Sequence, residues 1–220
     1  MIDAIVLAGG RSSRLTTVNK AHVVVDGETL LNRTLAAVSF ARRVVVVGLI
    51  SPDEVPRGVR VTREEPRYGG PTAAISEGLR HIGSSDTPDD HHVIVLACDM
   101  PKIADAVATL HGALRANPLG VIAVDEGHRQ PLAAIFRRSD LTALTVAARA
   151  TFPGGVDGMS VSRLIAPLRL TEVVVPAGST RDIDTWADAA FFGVPQPISL
   201  RADTEAGIKT EPKSPFPEEI

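Results

Sequence analysis

Gly9 and Gly10 close an apolar run and are followed by Arg11, Arg14 and Lys20, with no acid between Gly9 and Lys20. A loop of this composition suits one class of ligand. Glycines let main-chain N–H groups approach an anion closely. Arginines grip phosphate oxygens in pairs, and a lysine meets them as a point charge. Ser12 and Ser13 add short donors. The stretch "IVLAGGRSSRLTTVNKA" over residues 5–21 therefore reads as a polyphosphate grip or as a surface loop that is basic by chance. It follows neither of two familiar phosphate-binding patterns. Lys20 follows Asn19 rather than the glycine of G-x-x-x-x-G-K-[ST], and Arg11 and Arg14 replace the later glycines of G-x-G-x-x-G.

Carboxylates offer the complementary chemistry. In "VIVLACDMP", Asp99 stands just past a continuous apolar run, with Pro101 and Lys102 behind it. It can cap a helix starting near Lys102 or Ile103, or it can hold Mg²⁺, which binds through one or two carboxylates plus water and phosphate oxygens. Opposite a loop with three bases, the metal reading is preferred. In "TRDIDTW", Asp182 and Asp184 have the same two readings; Asp184 precedes Thr185 as a helix cap should, so Asp182 is assigned to the metal. In "YGGPTAAISEGL", Gly70, Pro71 and Thr72 start a helix whose free N–H groups and dipole suit an anion or a base carbonyl. Arg129 and Gln130, and Ser160 and Arg163 at another helix start, are candidates for a second substrate or are ordinary surface. His128 reads as a solvated loop residue. His91 and His92 lack a partner at metal-ligand spacing and read as structural.

These residues need a frame that brings them together. Apolar β-branched runs ("AIVLA", "RRVVVVGLI", "VRVTRE", "HHVIVLA") alternate with helical patterns, the latter beginning with "ETLLNRTLAAV". "GPTAAISEGLRHI", "KIADAVATLHGALRA" and "DLTALTVAARA" read as further helices, and "GVIAVDEGHRQPLAAIF" as two strands joined by a polar turn. The fold class is α/β: a doubly wound, mostly parallel sheet flanked by helices. In such sheets ligands bind beyond the carboxyl ends of the strands, where Gly9 and Asp99 both fall. The 220 residues, 44% hydrophobic, suit one core domain over residues 1–192 and a loosely ordered, proline-rich tail over 193–220. A net charge of −3 argues against a general nucleic-acid binder. The single cysteine, Cys98, and the lack of any long apolar span or signal-like start are read as cytoplasmic, with no membrane partner.

"LAGGRSSRL…NKA" resembles the signature L-A-G-G-x-S-x-R-[ML]-G-x-[DN]-K of nucleotidyltransferases that activate phosphorylated compounds with a nucleoside triphosphate, and most of all the molybdenum cofactor guanylyltransferase family. "EEPRYGGPTAAISEGL", "VLACDMP", "HRQPLAAIF" and "DIDTWADAA" resemble later family motifs in the same order, so the likeness covers about residues 2–192. Thr16 replaces the family's glycine, and Asp182 and Asp184 replace its usual asparagines, as in related cytidylyltransferases. The resemblance implies Mg²⁺, GTP and molybdopterin, with Arg14, Lys20 and Asp99 as the catalytic group. It places Leu7, Ala8, Gly9, Gly10, Arg11, Ser12, Ser13, Gly70, Pro71 and Thr72 along the nucleotide. The family's acidic contact falls at Glu64 or Glu65, and Glu65 is assigned to it. Transient contact with other cofactor-biosynthesis or acceptor proteins is a further expectation. Alternatives are a cytidylyltransferase for the same pterin, a sugar-phosphate nucleotidyltransferase, and a nucleotide-binding module without turnover.

Overall fold

The computed structural model describes residues 1–9, 19–83 and 91–195. Gly10, Arg11, Ser12, Ser13 and Arg14, and the tail from residue 196 onward, lie outside the described residues. In chain order the first half forms β1 (Ile2–Ala8), a small hairpin of β2 (Val24–Val25) and β3 (Glu28–Thr29), α1 (Leu30–Ala37), β4 (Val44–Gly48), β5 (Arg60–Thr62) and α2 (Pro71–Ile82). The second half forms β6 (His92–Ala97), α3 (Ile103–Leu114), β7 (Gly120–Asp125), β8 (His128–Arg137), α4 (Arg138–Thr151), α5 (Val161–Ile165), β9 (Thr171–Val174) and α6 (Trp186–Phe191).

Seven strands make one sheet in the order β5-β4-β1-β6-β8-β7-β9. β8 alone runs against its neighbours; it pairs antiparallel with β6 and β7, while the other pairs are parallel. The expected doubly wound, mostly parallel sheet is what the chain forms. Alternation along β1 explains its unbroken apolar run: Ala4, Val6 and Ala8 pack on the layer of α1 and α3, whereas Ile5 and Leu7 pack on that of α2, α4 and α5. Each strand residue thus buries its side chain on one of two covered faces.

Two local features aim the structure at the carboxyl edge of β1 and β6. Gly48 ends β4 beside Ala8, and a Cβ there would lie 2.4 Å from the Ala8 carbonyl oxygen, so only glycine lets the backbone pass. At the opposite edge, Arg43 and Arg60 donate to the carbonyls of Ile82 and His81 at 2.7 Å each, and Arg138 donates to that of Gly83. Cations from the residue before β4, from β5 and from α4 therefore hold the C-terminal end of α2. Its N-terminal end, at Gly70–Pro71, faces the sheet's carboxyl edge. A third apolar cluster joins Val23, Val25 and Leu30 to Ile183 and Ala189.

Three details differ from the sequence reading. The helix expected from Glu28 begins at Leu30, because Glu28 and Thr29 pair with Val25 and Val24 and the Thr29 hydroxyl caps the helix by accepting from the Asn32 N–H. Strand β9 was not anticipated. Helix α6 is capped by Thr185, so Asp184 is not needed as its cap.

Candidate active site

Lys20 is placed by its neighbour. The Asn19 side chain accepts from the Ala21 N–H at 3.1 Å and donates to the Leu49 carbonyl at 3.1 Å. That bracket winds residues 20–22 into one tight 3₁₀ turn, and the buried Ala21 anchors it while the Lys20 side chain reaches across the sheet edge. The ammonium donates to Asp99 Oδ2 at 3.0 Å and also to Asp184 Oδ1.

Asp99 lies two residues beyond the end of β6, with its backbone fixed from both sides. The Cys98 N–H donates to the Leu7 carbonyl at 3.0 Å, extending the β1–β6 ladder, and the Ile183 N–H donates to the Asp99 carbonyl at 2.9 Å. Asp99 does not cap α3, whose N-cap position is Lys102 without a side-chain bond. The Ile183 side chain is fully buried in the third cluster, and this plug holds the flanking Asp182 and Asp184 beside Asp99. Carboxylate oxygens of Asp99, Asp182 and Asp184, one from each, lie within 4.8 Å of one another. Sequence reasoning assigned Asp182 alone to this place; the chain brings both late aspartates to it.

The electrostatics follow from this crowding. Burial works against the Lys20 charge, but the nearby Asp99 charge and its bonds to Asp184 and Asp99 outweigh that and raise the pKa. Burial first, then the charges of Asp184 and Asp99, push the Asp182 pKa upward. Close carboxylates of this kind repel unless a cation stands among them. A donor set made only of carboxylate oxygens, open to solvent on the Asp182 side, fits a hard divalent ion such as Mg²⁺ with waters and phosphate oxygens completing its shell. Burial pushes the adjacent Cys98 thiol up, so it stays protonated despite lining a cavity.

Two cavities meet at Asp99, Ala97 and Leu132. The smaller, about 360 Å³, is lined on its other sides by Leu7, Gly9, Lys20, Glu64, Tyr68, Gly70, Pro71, Ala74 and Cys98. The larger, about 600 Å³, takes in Lys102, Asp125, His128, Gln130, Arg181, Asp182, Phe191 and Phe192. Of the expected nucleotide residues, Leu7, Gly9, Gly70 and Pro71 line the first cavity. Ala8 is buried behind it, and Thr72 is buried with its hydroxyl donating to the Met159 carbonyl at 2.7 Å. Glu64, not Glu65, faces the cavity; Glu65 is exposed, while the Glu64 carboxylate accepts from the Tyr68 N–H at 3.2 Å. Of the second-substrate candidates, Gln130 lines the larger cavity. Arg129 pairs with Glu172 at 3.3 Å, Ser160 caps α5 by accepting from the Arg163 N–H, and the Arg163 guanidinium lies 4.6 Å from the Phe152 ring centre. These three line neither cavity. Lys102 and Arg181 do, and sequence reasoning missed them; each directly neighbours a motif aspartate or proline, which was the available cue.

Among the described residues, no helix is long and apolar enough to cross a membrane. The chain is 32% identical over 137 residues to a molybdenum cofactor guanylyltransferase of Sinorhizobium fredii, and 28% identical over 138 residues to a probable molybdenum cofactor guanylyltransferase of Clostridium perfringens. The two matches cover 60% and 62% of this chain but 62% and 66% of the relatives' own lengths, just short of two thirds. In structure it resembles the molybdopterin-guanine dinucleotide biosynthesis protein A of Archaeoglobus fulgidus, with a TM-score of 0.62, 19% identity, and 91% of this chain and 100% of that one covered. It resembles the 2-C-methyl-D-erythritol 4-phosphate cytidylyltransferase of Francisella tularensis similarly, with a TM-score of 0.64, 12% identity, and 87% and 98% covered. At these identities the solved structures establish a shared nucleotidyltransferase fold. Residues 4–173 match the MobA-like NTP transferase domain, from within β1 through most of β9 and including both Lys20 and Asp99, and the chain belongs to that family.

Proposed function

We propose that this protein is a Mg²⁺-dependent nucleotidyltransferase that moves GMP from GTP to the phosphate of molybdopterin and releases pyrophosphate. One observation carries the reading: Lys20, Asp99, Asp182 and Asp184 converge where a nucleotide-sized cavity and a second, polar cavity meet. A site that joins two substrates through phosphate needs its charges at that junction.

In this reading the triphosphate enters the smaller cavity. Gly9 and the Gly70–Pro71 start of α2 offer close backbone and a positive helix end. The Glu64 carboxylate, buried and already holding the Tyr68 N–H, accepts from base or ribose donors. Lys102 and Arg181 in the larger cavity receive the acceptor's phosphate. An oxygen of that phosphate attacks the α-phosphorus in line; the new P–O bond forms as the bond to the bridging oxygen of pyrophosphate breaks. The attacking phosphate is ionised near neutral pH, so no general base is required. Asp99, with Asp182 and Asp184, would hold Mg²⁺, which neutralises charge on the phosphate oxygens when bound. Lys20 then donates to the phosphates rather than to the aspartates, and Arg14 adds a second cation. Catalysis here is alignment and charge neutralisation.

Asp182 and Asp184, in place of the family's asparagines, favour a second reading as a cytidylyltransferase for the same pterin. One assay separates the two: pyrophosphate release from GTP and from CTP, with Mg²⁺, with and without molybdopterin. Pterin-dependent release from GTP at least about tenfold above CTP, a difference of some 1.4 kcal/mol, supports the proposal. The reverse ratio assigns the base to cytosine, and release from neither nucleotide rejects nucleotidyl transfer to this pterin.

A further inference from the structure

Asp125 ends β7 and is almost fully buried, with 5% of its surface exposed, yet its carboxylate touches no cation among the described residues. Three donors from one loop surround it instead. The Gly178 N–H donates to Oδ1 at 2.9 Å, and the Thr180 N–H and hydroxyl donate to Oδ2 at 2.9 and 2.7 Å. Burial alone would raise its pKa, but these bonds more than offset that and hold it below the usual carboxylate range, so the group is ionised. A buried, ionised carboxylate kept by two backbone N–H groups and one hydroxyl of a single segment is a fixed clamp on that segment.

The clamped segment is the one that carries Asp182 and Asp184. It leaves β9 where the Val175 N–H meets the Val124 carbonyl at 3.1 Å, and its next buried apolar residue is Ile183, with the polar Ser179 and Thr180 buried between them. Between those anchors, the backbone bonds among residues 176–181 are local turns within the loop itself; its other ties are the bonds to Asp125 and the Arg181 side chain, which pairs with Asp188 at 3.6 Å and lies 4.1 Å from the Phe191 ring centre. Asp182 comes two residues after Thr180. We propose that Asp125 is a positioning residue: its carboxylate sets the path of the 176–182 loop and so holds Asp182 and Asp184 at the distance from Asp99 that a divalent ion requires. The inference rests on the metal-dependent reading above.

The test uses the full-length protein and Mn²⁺ alone, with binding followed by the electron paramagnetic resonance signal of the free ion. Asp125→Asn keeps the shape but turns an amide N–H₂ toward donors. It should weaken Mn²⁺ binding by about tenfold or more, the range seen when groups that orient metal ligands are lost. Under turnover, the Mg²⁺ half-saturation should rise in parallel while KM for GTP, whose cavity Asp125 does not line, stays within about twofold, a shift too small to signal a lost contact. Thr180→Val, which removes one donor and spares the carboxylate, should give a smaller loss in the same direction, and Thr180→Ser should restore wild-type binding. These variants separate a positioning role from a folding defect, because a merely structural carboxylate would lower the melting temperature without shifting Mn²⁺ affinity. Unchanged Mn²⁺ affinity in folded Asp125→Asn and Thr180→Val overturns the inference, as does absence of Mn²⁺ binding by the wild type. Intact Mn²⁺ binding with no turnover on either nucleotide rejects only the proposed nucleotidyl transfer to the pterin.

Discussion

Replacing Lys20 by Met should produce two opposite changes. The ammonium sits 3.0 Å from Asp99 and also bonds Asp184, so it occupies the place where a divalent ion would stand. At an effective dielectric near 20, a unit pair at that distance attracts by about 5.5 kcal/mol. Side chains one-fifth exposed at Lys20 and Asp99, and nearly half exposed at Asp184, screen much of this. Desolvation of the ammonium removes more, leaving about 1–2 kcal/mol of effective competition against an incoming ion. Lys20→Met removes the competitor and keeps the three carboxylates, so Mn²⁺ alone should bind about tenfold more tightly, since 1.4 kcal/mol is a factor of ten. Turnover should fall by about 100-fold or more, because in the proposed reaction the same cation moves onto the phosphates in the transition state. Titration of Mn²⁺ into both proteins, followed by calorimetry, reads the first effect, and pyrophosphate release under saturating substrates reads the second. Weaker or unchanged Mn²⁺ binding in the folded variant would refute the idea that Lys20 and the metal share one seat.

Asp99→Ala should lower turnover by about 100-fold with Mg²⁺ and substrates saturating, since a metal clamp contributes several kcal/mol; near-normal turnover would remove Asp99 from the chemistry. Gly48→Ala places a Cβ 2.4 Å from a carbonyl oxygen and 2.8 Å from the Gly9 nitrogen, both backbone. It should destabilise the protein by about 3 kcal/mol, at the upper end for overpacking, read by urea unfolding, and a loss under about 1 kcal/mol would contradict the close approach. Asp125 has a folded pKa below its unfolded one, so its stabilising contribution is present above the ordinary aspartate value and is lost as pH falls through the folded value. The stability gap between wild type and Asp125→Asn should therefore narrow as pH drops below about 4. A gap constant from neutral pH downward would contradict the clamp.

The frame was legible because its strands are buried on both faces. Runs such as "AIVLA" and "HVIVLA" have no polar alternation to confuse them with exposed strands, and Ile103, Val107, Leu110 and Leu114 mark one buried face of α3. β9 escaped notice because Thr171–Val174 is a short edge strand, mostly exposed, with Val174 78% exposed, so burial imprinted no pattern on it. The β2–β3 hairpin carried a readable signal in Asp26–Gly27, whose φ angles of 49° and 82° are those an Asp-Gly turn supplies. It went unread because two-residue strands leave no periodicity. At the site, Lys20 and Asp99 could be named from charge and from the strand end. The choice of Glu64 over Glu65 depended on which side the chain turns after β5, and that is set by packing rather than by residue type. The partnership of Asp125 with residues 178–180 joins positions more than fifty apart and has no local signature. Ser160 and Arg163 looked like ligand groups because caps and ring-stacked arginines use the same side chains as binding sites.

The proposed reaction turns on one divalent ion, held by Asp99 and the two late aspartates between the two cavities. Crystals grown with Mn²⁺ and a non-hydrolysable GTP analogue, measured at the manganese absorption edge, would locate that ion. The expected result is an anomalous peak at coordination distance from Asp99 and at least one of Asp182 and Asp184, with the nucleotide in the smaller cavity and Lys20 turned to its phosphates. A peak remote from Asp99, or a nucleotide bound in a different cleft with Lys20 still paired to Asp99 and Asp184, would contradict it.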